Sequence, residues 1–209
     1  MKKFAVLFIT LLFSSMVSAI PLRFEEGKHY QVVNKVADTN PNVTEYFSFY
    51  CQHCFKFERI VEQIEKSMPK GAQFKKSHVD FMRNASPATQ QSLSRALVVG
   101  EKMGIGHKIT AAIFKQIHVD IKPFKSEADI KALFAANGAD VDKYSKLMKS
   151  FGVKGAANKM KKDQDSLSSR QILDSVPMLI VNNKFKINSR EIRSLDDYNA
   201  LIVFLLAME

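Results

Sequence analysis

"YFSFYCQHCFKF", residues 46–57, holds both cysteines of a 209-residue chain, three apart with Gln52 and His53 between them. Upstream, NVTEYFSFY (42–50) is dense in β-branched and aromatic residues and predicts a strand buried on both faces. Downstream, Phe57, Ile60, Val61, Ile64 and Met68 recur at helical spacing, and the run stops at Pro69-Lys70-Gly71. Traced backwards, that stripe reaches Cys54, which puts Cys51 in the first turn of the helix. Three chemistries fit such a pair: a reversible disulfide, half of a metal site, or two inert buried thiols.

The first twenty residues bear on the choice. Met1-Lys2-Lys3 is a short positive start, and Phe4–Val17 is an apolar run broken only by Thr10, Ser14 and Ser15. Val17-Ser18-Ala19 then supplies small residues for cleavage, so residues 1–19 are expected to be a signal peptide cut after Ala19. The run is short for the ~20 apolar residues of a membrane span, and ALIVFLLAM near the C-terminus is shorter still. An exported chain with two cysteines sits where disulfides persist. A staple between residues three apart closes too small a loop to stabilise much, since the benefit grows with loop length. A redox role suits the pair better. Zinc needs further ligands, and His29, His78, His107 and His118 are scattered with no second pair at ligand spacing.

About 190 residues remain after the leader, enough for one domain carrying an insertion. The formal charge is +10, or +8 without Lys2 and Lys3, and the excess is densest at Lys154, Lys159, Lys161 and Lys162. With no aromatic residues interleaved, these read as a solvated helix face rather than a nucleic-acid or lipid surface.

Along the chain, Tyr30–Val33 and FKKSHVDF (74–81) have strand character, and strand–helix–strand around the cysteines predicts a parallel βαβ unit. Residues 82–152 change to helical patterns. Ser86-Pro87 opens the first helix, Ile109, Ile113, Phe114 and Ile117 mark the second, and Ser126 caps the third. Tyr144, Leu147, Met148 and Phe151 mark a fourth, ending at Gly152; together they are expected to pack as a small bundle of their own. A polar helix to about Arg170 follows. PMLIVN and FKIN around Asn183-Lys184 then read as a hairpin, and Ser194 with Asp197 opens a last helix with Tyr198, Leu201, Ile202 and Leu205 inward. Val176-Pro177 directly precedes the strand MLIVN; the plain reading is a proline at a strand start, the sharper one a cis proline facing the cysteines.

The helix-start placement assigns roles. Unpaired N–H groups and the helix dipole stabilise a thiolate at Cys51, and His53 would add to that effect. Cys51 is therefore expected to be the exposed attacking or attacked sulfur and Cys54, on the apolar face, the resolving one. A stabilised thiolate favours the reduced state, which makes the disulfide more oxidising.

Several segments together resemble the thioredoxin superfamily, and within it the periplasmic disulfide oxidases of the DsbA family. They are EEGKHY (25–30), EYFSFYCQHC (45–54), HVDFM (78–82), VPMLIVNNKF (176–185) and SLDDY (194–198). The resemblance implies an α/β thioredoxin fold, a central mixed β-sheet flanked by helices, formed by residues 20–81 and 153–209 and interrupted by an inserted all-helical domain at 82–152. It implies that Cys51 is the nucleophile, Cys54 the buried partner, and His53 the thiolate's stabiliser. Val176 and Pro177 would form a cis-proline loop that pairs with an extended substrate strand. Glu45, Glu58 and Lys76 match charged residues near the family's active site. The usual pair between the cysteines is Pro-His, so Gln52 is a departure, and redox tuning is expected to reside there. The resemblance further implies a monomer that oxidises unfolded exported proteins with free thiols, is reoxidised by DsbB (a membrane quinone reductase), and needs no cofactor beyond the Cys51–Cys54 disulfide. The alternatives are an isomerase or reductase on the same fold, or a peptide-binding chaperone without redox turnover. Known isomerases carry an N-terminal dimerisation domain, and only about 30 residues of the expected mature chain precede Cys51.

Overall fold

The computed structural model describes residues 23–208, so the expected leader lies outside the described residues. Chain order is β1 (Tyr30–Val32), β2 (Asn42–Phe47), α1 (Gln52–Ser67), β3 (Gln73–His78), five helices α2 to α6, then β4 (Met178–Val181), β5 (Phe185–Ile187) and α7 (Leu195–Leu206). The sheet order is β1-β5-β4-β2-β3; β2 and β3 run parallel and every other pair antiparallel. This is the mixed sheet expected, with the βαβ unit at one edge and the hairpin strand β4 at its centre. All four residues of β4 are buried, as a central strand requires.

The strand ahead of the cysteines is shorter than the sequence suggests. β2 ends at Phe47, and Ser48 starts a turn: its carbonyl accepts from Cys51 N–H (3.0 Å) and its Oγ from Tyr50 N–H (3.2 Å). Ser48 competes with the ladder for the backbone, which aromatic density alone does not reveal. At the other end of the sheet the hairpin turns one residue early. Asn182 and Asn183 take φ of 50° and 55°, the left-handed region that asparagine tolerates.

The five helices between β3 and β4 are α2 (Pro87–Lys102), α3 (Gly106–His118), α4 (Glu127–Ala136) and α5 (Val141–Lys149), which fall within the expected insertion, and α6 (Phe151–Ser169). Ser86 caps α2 with Pro87 in its first turn, and Ser126 and Asp129 form a full capping box on α4. The fourth helix, α5, ends before Phe151 instead of at Gly152. Ser150 terminates α5 and its side chain caps α6, so Phe151 starts the next helix and stands 96 % exposed rather than inward. The four clustered lysines lie on α6, where Lys159 and Lys161 pair with Asp163 and Asp165 one turn on.

The helical block does not keep a core to itself. Leu93, Leu97, Ile113, Phe114, Phe134 and Met148 form one buried cluster with Phe47, Phe49, Cys51 and Cys54. The turn after β2 carries its apolar side chains straight into the block, so the cysteines sit where the two halves of the molecule meet.

Candidate active site

Cys51 is the N-cap of α1, with extended backbone (φ −95°, ψ 112°), and its Sγ accepts the N–H of Cys54 at 3.2 Å. Sulfur thus fills the place that a serine or aspartate oxygen normally takes at a helix start. Both cysteines are free thiols. Cys54 is fully buried; Cys51 is only 5 % exposed, more covered than an attacking sulfur was expected to be. Part of the cover comes from the loop that enters the neighbouring strand β4: the Val176–Pro177 peptide bond is cis, and the Val176 carbonyl accepts from the Cys51 thiol at 3.4 Å. β4 lies antiparallel beside β2 with Met178 opposite Tyr46, which carries the preceding Val176-Pro177 towards the turn where Cys51 begins α1.

The two sulfurs are driven apart in acidity. The Cys51 pKa is brought down to about 6, first by a hydrogen bond from the Cys54 side chain and further by the N–H groups of Cys54 and His53 and by the His53 charge, against the opposing effect of burial. Burial pushes Cys54 strongly upward, and the neighbouring sulfur and Glu45 add to the shift, while a bond from the Ser48 backbone opposes it. His53 itself is exposed. Its contribution is real in direction but smaller than that of Cys54, which the sequence alone cannot rank.

Beneath the pair lies a charged trio. Lys76 Nζ is 2.6 Å from Glu45 Oε2 and 2.6 Å from Glu58 Oε1. Glu45 has no exposed side-chain surface, Glu58 retains about a fifth of its own, and the lysine also lies 4.4 Å from the centre of the Phe47 ring. Two carboxylates share one ammonium, so full ionisation leaves a buried negative charge. Burial accordingly raises the Glu45 pKa to about 7 against the pull of Lys76, and the two carboxylates hold Lys76 above its usual range. A cleft of about 870 Å³ is lined by Glu58 and Lys76 of this trio, with Phe114 and Met160 among its other walls; Glu45 does not line it.

Gln52 projects from the first turn of α1 and is exposed. Its Oε1 lies 2.8 Å from Nδ1 of His118, at the end of α3, whose Nε2 lies 2.8 Å from the Phe49 carbonyl. The His118 ring stacks on Phe55 (5.2 Å between centroids, 8° between planes). Sequence reasoning counted His118 only among scattered histidines; its position 64 residues beyond Cys54 gives no local signal. Among the described residues, no group of three or more metal-ligating side chains is assembled.

A model of the DSBA-like thioredoxin domain matches residues 42–199, three quarters of the chain. The chain belongs to the DsbA-like thioredoxin family. Curated DsbA-family relatives agree along their length. The thiol:disulfide interchange protein DsbA of Haemophilus influenzae is 33% identical over 175 residues, covering 82% of this chain and 80% of its own. That of Pectobacterium carotovorum subsp. carotovorum is 31% identical over 205 residues, covering 95% and 93%. Among solved DsbA structures, a Proteus mirabilis Cys-to-Ser variant with a non-covalently bound peptide superposes with a TM-score of 0.78 at 25% identity, covering 90% of this chain and all of that one. DsbA from Klebsiella pneumoniae gives 0.75 at 25% identity, over 88% and 98%. By family, this is a thiol:disulfide interchange enzyme, and Cys51-Gln52-His53-Cys54 is its C-x-x-C motif.

Proposed function

We propose that the protein is a periplasmic dithiol oxidase that donates its Cys51–Cys54 disulfide to exported proteins, with no further cofactor. The observation that carries the reading is the opposed acidity of two thiols three residues apart, with the low value at the helix N-cap. A thiolate held by fixed donors stabilises the reduced enzyme; each tenfold gain is worth about 1.4 kcal/mol, or about 30 mV in a two-electron couple. The disulfide is correspondingly ready to accept electrons.

In the forward reaction a substrate thiolate attacks the Cys51 sulfur, and the S–S bond breaks with its electron pair going to Cys54. Cys54 is a poor thiolate, so it takes up a proton as it leaves. Glu45, with a pKa of about 7, holds a proton part of the time and lowers the cost of that step; Lys76 links it to Glu58, which lines the cleft. A second substrate thiolate then attacks the substrate sulfur of the mixed disulfide. Cys51 departs as a thiolate, which its environment favours, and the substrate leaves with a disulfide and two fewer electrons. Val176 and Pro177 would hold the extended substrate beside Cys51 through backbone pairing; the peptide-bearing relative from Proteus mirabilis supports a peptide site in this fold. Reoxidation by a DsbB-type quinone reductase, export through the segment at 1–19, and action as a monomer complete the reading.

Refolding of reduced, unfolded ribonuclease tests it. The oxidised enzyme should restore ribonuclease activity stoichiometrically and Cys51→Ser should not. Full activity in that variant would sink the Cys51 redox mechanism. Equilibration with glutathione decides the direction of electron flow: a potential as reducing as that of thioredoxin, about −270 mV, would replace oxidase with reductase.

A further inference from the structure

We infer that His118 is a positioning residue that clamps the segment carrying Cys51 at both ends, through the Phe49 carbonyl on one side and the Gln52 side chain on the other. The inference deepens the proposed function and rests on its assignment of Cys51 as the attacking sulfur.

The geometry is specific about protons. A backbone carbonyl only accepts, so the 2.8 Å contact to Phe49 requires a hydrogen on His118 Nε2. Phe49 is fully buried, and an unmet carbonyl there would cost the chain a desolvated acceptor. Nδ1 then meets an amide at 2.8 Å. If the ring is neutral, Nδ1 accepts and the Gln52 amide turns its NH₂ inward; if the ring is charged, Nδ1 donates and the amide presents Oε1. A glutamine satisfies either state by a half-turn of its terminal torsion, so the clamp holds through a change of protonation.

The ring is itself held. Phe55 stacks on it and Phe114 packs at 5.9 Å, fixing its plane from α1 and from α3. Of the charged groups nearby, Lys115 on its own helix is bonded to Asp120 just beyond the helix end (2.6 Å). From α1 the neighbouring titratable groups are Cys51, His53 and Cys54. The clamp spans residues 49–52, the short stretch whose shape sets the 3.2 Å contact between Cys51 Sγ and the Cys54 N–H. Freeing it would let that stretch relax and weaken the donors that stabilise the thiolate. The last turn of α3 thereby reaches across the junction between block and sheet to hold the segment that carries Cys51.

A double-mutant cycle with Cys51 thiolate absorbance as the readout tests the clamp. His118→Phe keeps a ring for stacking but loses both hydrogen bonds, and should raise the titration midpoint by about half a pH unit, equivalent to a threefold loss in thiolate stabilisation. His118→Gln, which can still donate to the carbonyl, should recover part of it. In a Gln52→Leu background the His118→Phe shift should shrink, because one arm of the clamp is already gone. Identical shifts in both backgrounds, or no shift from His118→Phe, would overturn the inference. Nitrogen NMR of the unmutated protein provides a check independent of variant folding: Nε2 must carry a proton throughout, and a ring protonated only at Nδ1 is incompatible with the clamp. Thiolate titration reads Cys51 whichever way electrons flow. A reducing potential with an intact clamp shift would therefore sink the oxidase reading alone.

Discussion

Cys51 and Cys54 are the same residue type one helical turn apart, and the fold treats them oppositely. At the mouth of α1 the sulfur meets several donors, which outweigh its burial. One turn in, Cys54 lies in apolar packing above a buried carboxylate, and burial dominates. The contrast shows that the motif alone does not set the acidities. They follow from which sulfur occupies the cap position and which faces the core. His53 acts on a difference the helix has already created.

The most direct way to break the contrast is alkylation. With a pKa of about 6, Cys51 is roughly nine-tenths ionised at pH 7, whereas Cys54 is almost wholly protonated. Iodoacetamide should label Cys51 of the reduced protein at least ~1000-fold faster, read by peptide mass spectrometry. Comparable rates would mean that the two environments do not differ.

Lys76→Met probes the region below. Removing the ammonium leaves Glu45 and Glu58 without a counter-charge, and breaking a buried pair in this way costs about 3–5 kcal/mol. Urea unfolding at pH 7 should show that loss. At pH 4 it should be clearly smaller, because Glu45 then carries a proton and needs no partner. An equal loss at both pH values would mean that the carboxylate does not titrate as described.

A subtler test compares the two redox states. In the reduced protein the folded chain releases the Cys51 proton near pH 6, while the unfolded chain keeps it up to the ordinary value of 9.0. Between those values the unfolded state binds more protons, so stability rises with pH. Above them the raised Cys54 reverses the slope, since there only the unfolded chain releases its proton. The disulfide form lacks both groups. Reduced-minus-oxidised stability should therefore climb from about pH 6 to about pH 9 and then fall; a flat difference across that window removes the low Cys51 pKa. The smallest expected effect belongs to Ser48→Ala, which deletes the acceptor for Tyr50 N–H and should cost about 1 kcal/mol. Its backbone bond to Cys54 remains, so the Cys54 titration should stay put while thermal stability falls.

What the sequence made legible was local. The strand-to-helix junction, the capping serines at 86, 126 and 194, and the inward face of α7 are all written in neighbouring residues. Glu45 and Lys76 are marked by the family resemblance, and their partnership follows from the register that sets them opposite each other. The illegible parts arise from competition or distance. Ser48 stops β2 with hydrogen bonds that a propensity scale does not weigh. Ser150 divides α5 from α6 without a proline, and Gly152, expected to end a helix, lies inside one. His118 reaches the active site only because the inserted helices fold back over α1, a tertiary event that no local pattern encodes.

The sheet's centre has a further consequence for how the chain assembles. β4 pairs with β2, yet five helices separate it from β3, the strand before it in the chain. A chain made from its N-terminus therefore presents β2, α1 and β3, with both thiols, long before the strand that completes their surroundings exists. Contacts of such sequence separation form late and slowly. Until then Cys51 lacks its neighbour Val176, and one edge of β2 stands open. The catalyst is thus among the last features of its own structure to be completed, and a newly made copy passes through a stage in which it is itself an unfolded thiol protein.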